Sequence, residues 1–173
     1  MRLSVLLLLI CNFAVAQDVQ QYLKQVRTPL VAIVWLSPEC PLCKNYTKPL
    51  NELNRKYAGT VTVVGVFPGH WYTQQDYTAF QKKYKAFFPL LTDKKNKLGK
   101  QLHATVTPEV CLLDSTGKVL YQGAIDNWAT ALGQTKTIPA TEHYLEDAIT
   151  HAMAGTAIYP AVTKPVGCYI NDN

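Results

Sequence analysis

Cysteine is scarce in this chain, and its scarcity excludes a fold that depends on many disulfides. Five of the 173 residues are cysteines, and one of them, Cys11, lies in the N-terminal segment. The other four, Cys40, Cys43, Cys111 and Cys168, are too few to stabilise a domain of this length by cross-linking alone. They are enough for one working pair and two further thiols.

Long runs of basic residues are also absent. The formal net charge is +5, but the lysines are spread along the chain and no basic run is interleaved with aromatic residues. A surface that binds nucleic acid would require such a run. Nucleic acid is therefore not an expected partner.

Long hydrophobic runs are limited to one, at residues 3–16, which follows Met1-Arg2 and ends in Ala14-Val15-Ala16. This run is too short to span a bilayer as a helix. A short basic start, an apolar middle and an A-x-A end predict a secretory signal peptide over residues 1–16. We therefore expect a secreted or periplasmic protein that contacts a membrane only through this segment, before cleavage.

The periodicity of apolar residues after this segment predicts alternating helices and strands. Helices are expected at residues 19–26, 41–57, 74–85, 95–103 and 141–154. Strands are expected at residues 30–36 and 61–67, in the stretch FFPLLTD, and in a hairpin around Ser115-Thr116-Gly117. Helical crossovers make the early strands parallel and the hairpin adds an antiparallel edge, so an α/β fold with a mixed sheet is expected. One domain is predicted over residues 17–155, followed by a C-terminal tail, residues 156–173, that lies over the surface.

Two cysteines lie three positions apart where a buried strand gives way to a helix. At a helix N-terminus Cys40 meets unpaired backbone N–H groups and the positive end of the helix dipole, which favour the thiolate. A thiolate there can attack a substrate disulfide, and Cys43, one turn along, can resolve the mixed disulfide. The pair therefore predicts a catalytic redox centre that needs no cofactor.

Two other functions of a C-x-x-C motif are less well supported. A zinc site requires two more cysteine or histidine ligands at matched spacing, and the nearest candidates, His70 and His103, are isolated. A structural disulfide between residues so close in sequence would close a very small loop, which gives little entropic stabilisation. No metal site is predicted.

The stretches LSPECPLCKNY and VTPEVCLLDSTGKVLYQGAIDN resemble the thioredoxin-like redoxin family. That family includes alkyl-hydroperoxide-reductase and thiol-specific-antioxidant relatives and secreted thiol–disulfide oxidoreductases. The resemblance implies a thioredoxin-like fold, in which helices flank the central mixed sheet. It also implies a cis peptide at Thr107-Pro108 that faces Cys40 and Cys43 and leaves the neighbouring backbone open to an extended substrate. Thr107 and Pro108 are therefore expected to bind substrate.

Several departures from the relatives bear on the chemistry. Val34 stands where thioredoxin has a buried aspartate, and the charge of Glu39 is expected to raise the pKa of Cys40. Ile33 replaces the proline of the peroxiredoxin motif, and none of the three arginines is near Thr107. Dithiol exchange is thus favoured over a peroxidase that uses Cys40.

A copper-binding chaperone that uses Cys40, Cys43 and His103 is the non-enzymatic alternative. The copper-binding branch of the superfamily separates its cysteines by three residues rather than two, which weighs against this alternative.

The expected function is thiol–disulfide exchange, with Cys40 as the attacking thiolate and the more exposed sulfur, and Cys43 as the resolving thiol. The expected partners are protein or small-molecule thiols and disulfides, together with an upstream electron donor or acceptor. Peroxides would be substrates under the peroxidase alternative. Trp71 and Trp128 either line a substrate groove or pack in the core.

Two cysteines remain outside the pair. Cys111 is expected to pack as a buried hydrophobic residue. For Cys168 two arrangements are open: Tyr169 and Ile170 hold the thiol against the surface, or the tail folds back so that Cys168 can exchange with the pair or join a metal site. The first arrangement is favoured, and Cys168 is not expected to be permanently disulfide-bonded.

Overall fold

The structure of the protein is a computed structural model that describes residues 19–132 and 138–170. The helices in this part of the chain are α1 (Val19–Leu23), α2 (Pro41–Lys56), α3 (Gln74–Tyr84), α4 (Lys97–Gln101) and α5 (Tyr144–Ala154). The strands are β1 (Leu30–Trp35), β2 (Val61–Pro68), β3 (Leu90–Asp93), β4 (Val106–Thr107), β5 (Glu109–Asp114), β6 (Val119–Gly123) and β7 (Cys168–Tyr169). The predicted signal peptide, residues 1–16, lies outside the described residues.

Five of these strands form one mixed sheet in the order β3-β2-β1-β5-β6. β1 is parallel to β2 and β2 to β3, whereas β5 is antiparallel to both β1 and β6. Helical connections between the early strands give the parallel pairs, and the tight turn between β5 and β6 gives the antiparallel edge. The predicted α/β fold with a central mixed sheet is confirmed.

β1 is covered on both faces of the sheet, which explains its unbroken apolar sequence. Every residue of the strand is buried. Ala32 and Val34 belong to the core on the side of α2 and α5, while Ile33 and Trp35 belong to the core on the opposite face. This division follows from the alternation of side chains along a strand. Because β1 is the central strand, the residues that follow its C-terminal end lie at the middle of the sheet edge.

Three helices are shorter than predicted by three or more residues. α1 ends at Leu23 rather than at residue 26. α5 begins at Tyr144 rather than at residue 141, and α4 covers only Lys97–Gln101 of the predicted residues 95–103. Asn96 and His103 flank α4 with φ values of 48° and 55°, in the left-handed region, so the helix cannot extend through either of them. No helix in the described part of the chain is long and apolar enough to cross a membrane.

The C-terminal tail is hydrogen-bonded to the domain along much of its length. Its first part runs beside β6, where the Gln122 N–H donates to the Ala161 carbonyl and the Thr163 N–H donates to the Gln122 carbonyl, both at 3.0 Å. Its last part forms β7, which pairs antiparallel with β4 in a separate two-stranded sheet. Two residues are too few to carry a periodicity, so β7 was not predicted.

Candidate active site

Cys40 and Cys43 lie at the start of α2, just beyond the end of β1, as predicted. Cys40 is the N-cap residue with an extended backbone, and Pro41 occupies the first helical position, where no N–H donor is needed. The Sγ of Cys43 accepts a hydrogen bond from the Ser37 N–H at 3.3 Å. The two thiols are therefore held at the positive end of the helix dipole.

The two thiols ionise very differently. A hydrogen bond from the Cys43 side chain lowers the pKa of Cys40 to about 5, against the opposing effect of burial. Burial, together with the adjacent Cys40, raises the pKa of Cys43 well above its ordinary value. The expected upward effect of Glu39 on the pKa of Cys40 does not prevail, since Glu39 is exposed and the shift is downward. With these pKa values Cys40 is a thiolate and Cys43 a thiol at neutral pH.

The Thr107-Pro108 peptide is cis and lies beside the thiols, as the family resemblance implied. The Thr107 carbonyl oxygen is 3.1 Å from the Cys40 Sγ and accepts a hydrogen bond from it when the thiol is protonated. The expectation of an open backbone at this point is wrong. Thr107 is buried, and its backbone pairs with Cys168 of β7. The chain's own tail thus occupies the strand edge next to Pro108.

Neither sulfur of the pair is accessible to solvent. Cys40 is 1% exposed and Cys43 is 0% exposed, so Cys40 is the more exposed sulfur by only this small margin and both thiols are buried. The reason is that Cys40 faces a cavity of about 220 Å³ that is walled by the tail and by the segment after β2. The residues of these two walls are Cys168, Tyr169, Ile170, Trp71 and Tyr72.

Cys168 lies beside the pair. It lines the same cavity as Cys40, and burial, followed by interaction with the Cys40 side chain, raises the pKa of Cys168 to about 11. Tyr169 is 82% exposed and does not hold the thiol against the surface. The favoured arrangement of the tail is therefore wrong, and the tail folds back on the pair instead. Cys111 is buried as predicted, and burial raises its pKa to about 12.

Glu109 fixes the segment that carries Pro108, a role that sequence reasoning missed. Its buried carboxylate accepts hydrogen bonds from the Thr105 N–H at 2.8 Å and the Val106 N–H at 3.2 Å. Its second oxygen accepts from Nε2 of Gln122 at 2.9 Å. An acidic residue directly after Pro108, at the head of an apolar strand, was the signal that could have identified it.

The described residues around the pair bear on the copper and peroxidase alternatives. They contain no group of three His, Cys, Asp or Glu side chains that could hold a metal ion, so His103 does not form such a group with Cys40 and Cys43. Among the described residues that line the Cys40 cavity none is an arginine, and Arg27 instead donates to the Lys24 carbonyl at 2.8 Å.

The two candidate tryptophans occupy different places. Trp71 is 56% exposed and lines the Cys40 cavity. Trp128 contacts Tyr46 edge-on, with ring centroids 5.7 Å apart, and lines a larger open cavity of about 900 Å³ between α2 and α5. That larger cavity has no cysteine in its wall. Of the two tryptophans, only Trp71 is placed to contact a molecule bound at Cys40.

The fold and the thiol pair define a thioredoxin-like protein with thiol-based redox chemistry. The chain belongs to the AhpC/TSA family, whose model matches residues 12–122. It is therefore a redoxin and a thiol-based oxidoreductase.

Solved structures share the fold at low sequence identity. A hypothetical protein from Sinorhizobium meliloti 1021 is 23% identical, with a TM-score of 0.72 over 87% of this chain and 82% of that chain. A thioredoxin-like protein from Aeropyrum pernix is 18% identical, with a TM-score of 0.52 over 58% of this chain and 72% of that chain. A thiol-disulfide oxidoreductase from Bacteroides fragilis is 19% identical, with a TM-score of 0.50 over 56% and 72% of the two chains. At these identities the likeness shows the fold alone. No curated protein matches the chain.

Proposed function

We propose that the protein is a secreted or periplasmic thiol–disulfide oxidoreductase in which Cys40 is the nucleophile and Cys43 the resolving thiol. The observation that carries this proposal is the placement of two thiols one turn apart at the start of α2, where the surroundings lower the pKa of Cys40 and raise that of Cys43. A nucleophile must be ionised to attack a disulfide, whereas a resolving thiol must stay protonated until the mixed disulfide exists. The apolar segment at residues 3–16 supports export.

The reaction consists of two exchanges. The Cys40 thiolate attacks one sulfur of the substrate disulfide, that S–S bond breaks, and the other substrate sulfur leaves as a thiolate and takes up a proton. The negative charge of Cys40 contributes to the raised pKa of Cys43. Forming the mixed disulfide removes that charge and therefore lowers the pKa of Cys43.

The second exchange completes the reduction. Cys43 loses its proton, attacks the Cys40 Sγ and releases the second substrate thiol, which leaves a Cys40–Cys43 disulfide. The substrate has gained two electrons from the pair. An external dithiol then supplies two electrons that reduce the Cys40–Cys43 disulfide again. In the opposite direction the same steps oxidise a substrate dithiol.

Thr107 and Pro108 are the proposed contacts for the substrate. The Thr107 carbonyl lies 3.1 Å from the Cys40 Sγ, so a chain bound at this segment would bring its own sulfur close to the nucleophile. Binding there requires that β7 first leave β4.

Disulfides are better supported as substrates than peroxides. Peroxide reduction needs a cationic side chain that polarises the O–O bond, and no arginine or lysine belongs to the described wall of the Cys40 cavity. Disulfide exchange instead needs a second thiol that resolves the mixed disulfide, and Cys43 lies one helical turn from Cys40.

Replacing the resolving thiol provides the test. Reduced Cys43→Ser/Cys168→Ser protein, in which no second thiol lies beside Cys40, should accumulate a peptide adduct on Cys40 when it is mixed with a disulfide-bonded peptide, and mass spectrometry detects that adduct. The wild type should yield free peptide thiols and a Cys40–Cys43 disulfide, and Cys40→Ser should yield neither. Cys111→Ala is the matched control, since Cys111 is buried away from the pair, and it should keep wild-type turnover.

Two outcomes would contradict the proposal. Full peptide reduction by Cys43→Ser/Cys168→Ser would contradict a resolving role for a thiol beside Cys40, and rapid consumption of hydrogen peroxide by the same variant would indicate a peroxidase. Export is tested separately by sequencing the N-terminus of protein recovered outside the cytoplasm, which should begin at Gln17.

A further inference from the structure

We propose that the C-terminal tail is an internal substrate strand, whose Cys168 exchanges with Cys40 to form a Cys40–Cys168 disulfide that closes the active site. This inference rests on the proposed function, because it requires Cys40 to be redox-active. It adds Cys168 to the redox centre as a third cysteine. It also makes the tail an inhibitor of the chain's own active site.

The backbone of β7 occupies the place of an extended substrate. Thr107 pairs with Cys168 and Val106 with Tyr169 in antiparallel register. The Ile170 N–H extends the ladder by donating to the Thr105 carbonyl at 3.0 Å. Strand addition to an exposed edge is a common way for proteins to bind extended peptides. Here the edge next to Pro108 is filled by the chain itself.

Gly167 allows the tail to cross the Thr107-Pro108 peptide at very short range. A Cβ atom at this position would lie 2.4 Å from the Thr107 carbonyl oxygen and 3.1 Å from the Pro108 nitrogen. Both neighbours are backbone atoms that cannot rotate away. A residue without a side chain is therefore required for this crossing, and the crossing places the next residue, Cys168, at the thiol pair.

Cys40 lies between two thiols. Cys168 and Cys40 line the same cavity, and the side chains of Cys43 and Cys168 both lower the pKa of Cys40. Cys43 reaches Cys40 from within α2, whereas Cys168 reaches it from the strand that stands in for a substrate. Cys168 is thus where the sulfur of a bound substrate would be.

The exchange balances without an added oxidant. Reduction of one substrate disulfide leaves a Cys40–Cys43 disulfide. Cys168 then loses its proton and attacks the Cys40 Sγ. The Cys40–Cys43 bond breaks, and Cys43 leaves as a thiolate that takes up a proton. The protein still holds one disulfide, now Cys40–Cys168, and one of the three sulfurs remains a thiol.

The consequence is competition for Cys40. In the reduced protein β7 already covers Cys40, which is 1% exposed, so an external disulfide reaches it only when the tail leaves. In the Cys40–Cys168 form the tail is covalently fixed over the site. A reductant must then open the tail before another turnover.

Disulfide mapping tests the inference. Reduced full-length Cys43→Ser protein is exposed to oxidised glutathione, its free thiols are alkylated in acid, and its peptides are mapped by mass spectrometry. We expect a Cys40–Cys168 crosslink and loss of alkylation at both residues. Cys43→Ser/Cys168→Ser should instead show glutathione on Cys40. If Cys43→Ser holds glutathione on Cys40 while Cys168 is fully alkylated, the inference is wrong.

The wild type separates failure of this inference from failure of the proposed function. A Cys40–Cys43 disulfide with no Cys40–Cys168 species under any glutathione ratio would overturn only the inference. Absence of any disulfide at Cys40, with the fold intact, would overturn the proposed function.

Gly167→Ala gives an independent readout. Because its methyl group would clash with the Thr107 carbonyl, we expect this variant to lose the Cys40–Cys168 crosslink, keep Cys40–Cys43 and alkylate faster at Cys40. Val162→Ala is the matched control in the tail, where the side chain is 72% exposed, and it should behave as wild type. An unchanged crosslink in folded Gly167→Ala would count against the tail path described here.

Discussion

The ionisation of Cys40 is the residue-scale property on which the chemistry depends. A hydrogen bond from the Cys43 side chain lowers the pKa of Cys40, and burial raises it. The hydrogen bond outweighs burial with the help of the backbone N–H groups of Cys43 and Leu42 at the start of α2. The result is a reactive sulfur that is also shielded from water.

The first prediction is a thiol titration. With a folded-state pKa of about 5 against an ordinary 9.0, the thiolate absorbance of reduced protein should rise with a midpoint near 5. Cys40→Ser should lack this step. A midpoint near 9, with the protein folded, would remove the basis for assigning Cys40 as nucleophile.

The same shift makes stability depend on pH. A thiol whose pKa is depressed by folding stabilises the reduced fold fully above about pH 9, and this contribution is lost as the pH falls through about 5. The difference in free energy of unfolding between wild type and Cys40→Ser should therefore grow with pH, by at most about 1.4 kcal/mol per unit. Urea unfolding of the two reduced proteins at several pH values measures it.

Secondary-structure elements control access to that sulfur. Thr163 anchors the tail beside β6: its Oγ1 accepts from the Ala124 N–H at 2.9 Å and shares a hydrogen bond of 2.5 Å with the Tyr121 hydroxyl. The path of the tail from there to β4 is what covers Cys40.

A Thr163→Val substitution should loosen this anchor. Valine keeps the shape but can form neither of these hydrogen bonds, and losing one costs about 1 kcal/mol. If the tail opens locally, Cys40 should alkylate about fivefold faster, since local opening exposes it in proportion to the open population. Quantitative alkylation with mass detection measures the rate, and Val162→Ala serves as the control. Equal rates in Thr163→Val and wild type would show that Cys40 is reached by another path.

Elements formed by neighbouring residues could be predicted, and those formed by distant ones could not. The buried run of β1, the cysteines at the start of α2 and the β5–β6 hairpin each depend on residues adjacent in sequence. β7 and the burial of Cys40 depend on contact between Thr107 and Cys168, which no local pattern encodes. The hydrogen bonds of Glu109 are missed for the same reason, because its partner Gln122 is on another strand.

The redox couple is a property of the whole molecule, because it compares the reduced protein with the oxidised one. Reduction adds two electrons but only one proton when Cys40 stays ionised. Between about pH 6 and pH 8 the reduction potential should therefore fall by about 30 mV per pH unit, rather than about 59 mV for two protons. Equilibration with glutathione buffers measures the slope, and Cys168→Ser should share it. A slope near 59 mV would mean that both thiols are protonated in the reduced protein.

The docking of the tail also sets an order of events while the chain folds. Cys168 follows Thr107 by 61 residues, and a chain is synthesised from its N-terminus, so β7 is the last of the described strands to be made. The segments that hold Cys40 are therefore synthesised before the tail that covers it. Until the tail docks, Cys40 can react with the thiols and disulfides around a newly made chain. Unwanted exchange at Cys40 is therefore easiest before folding is complete.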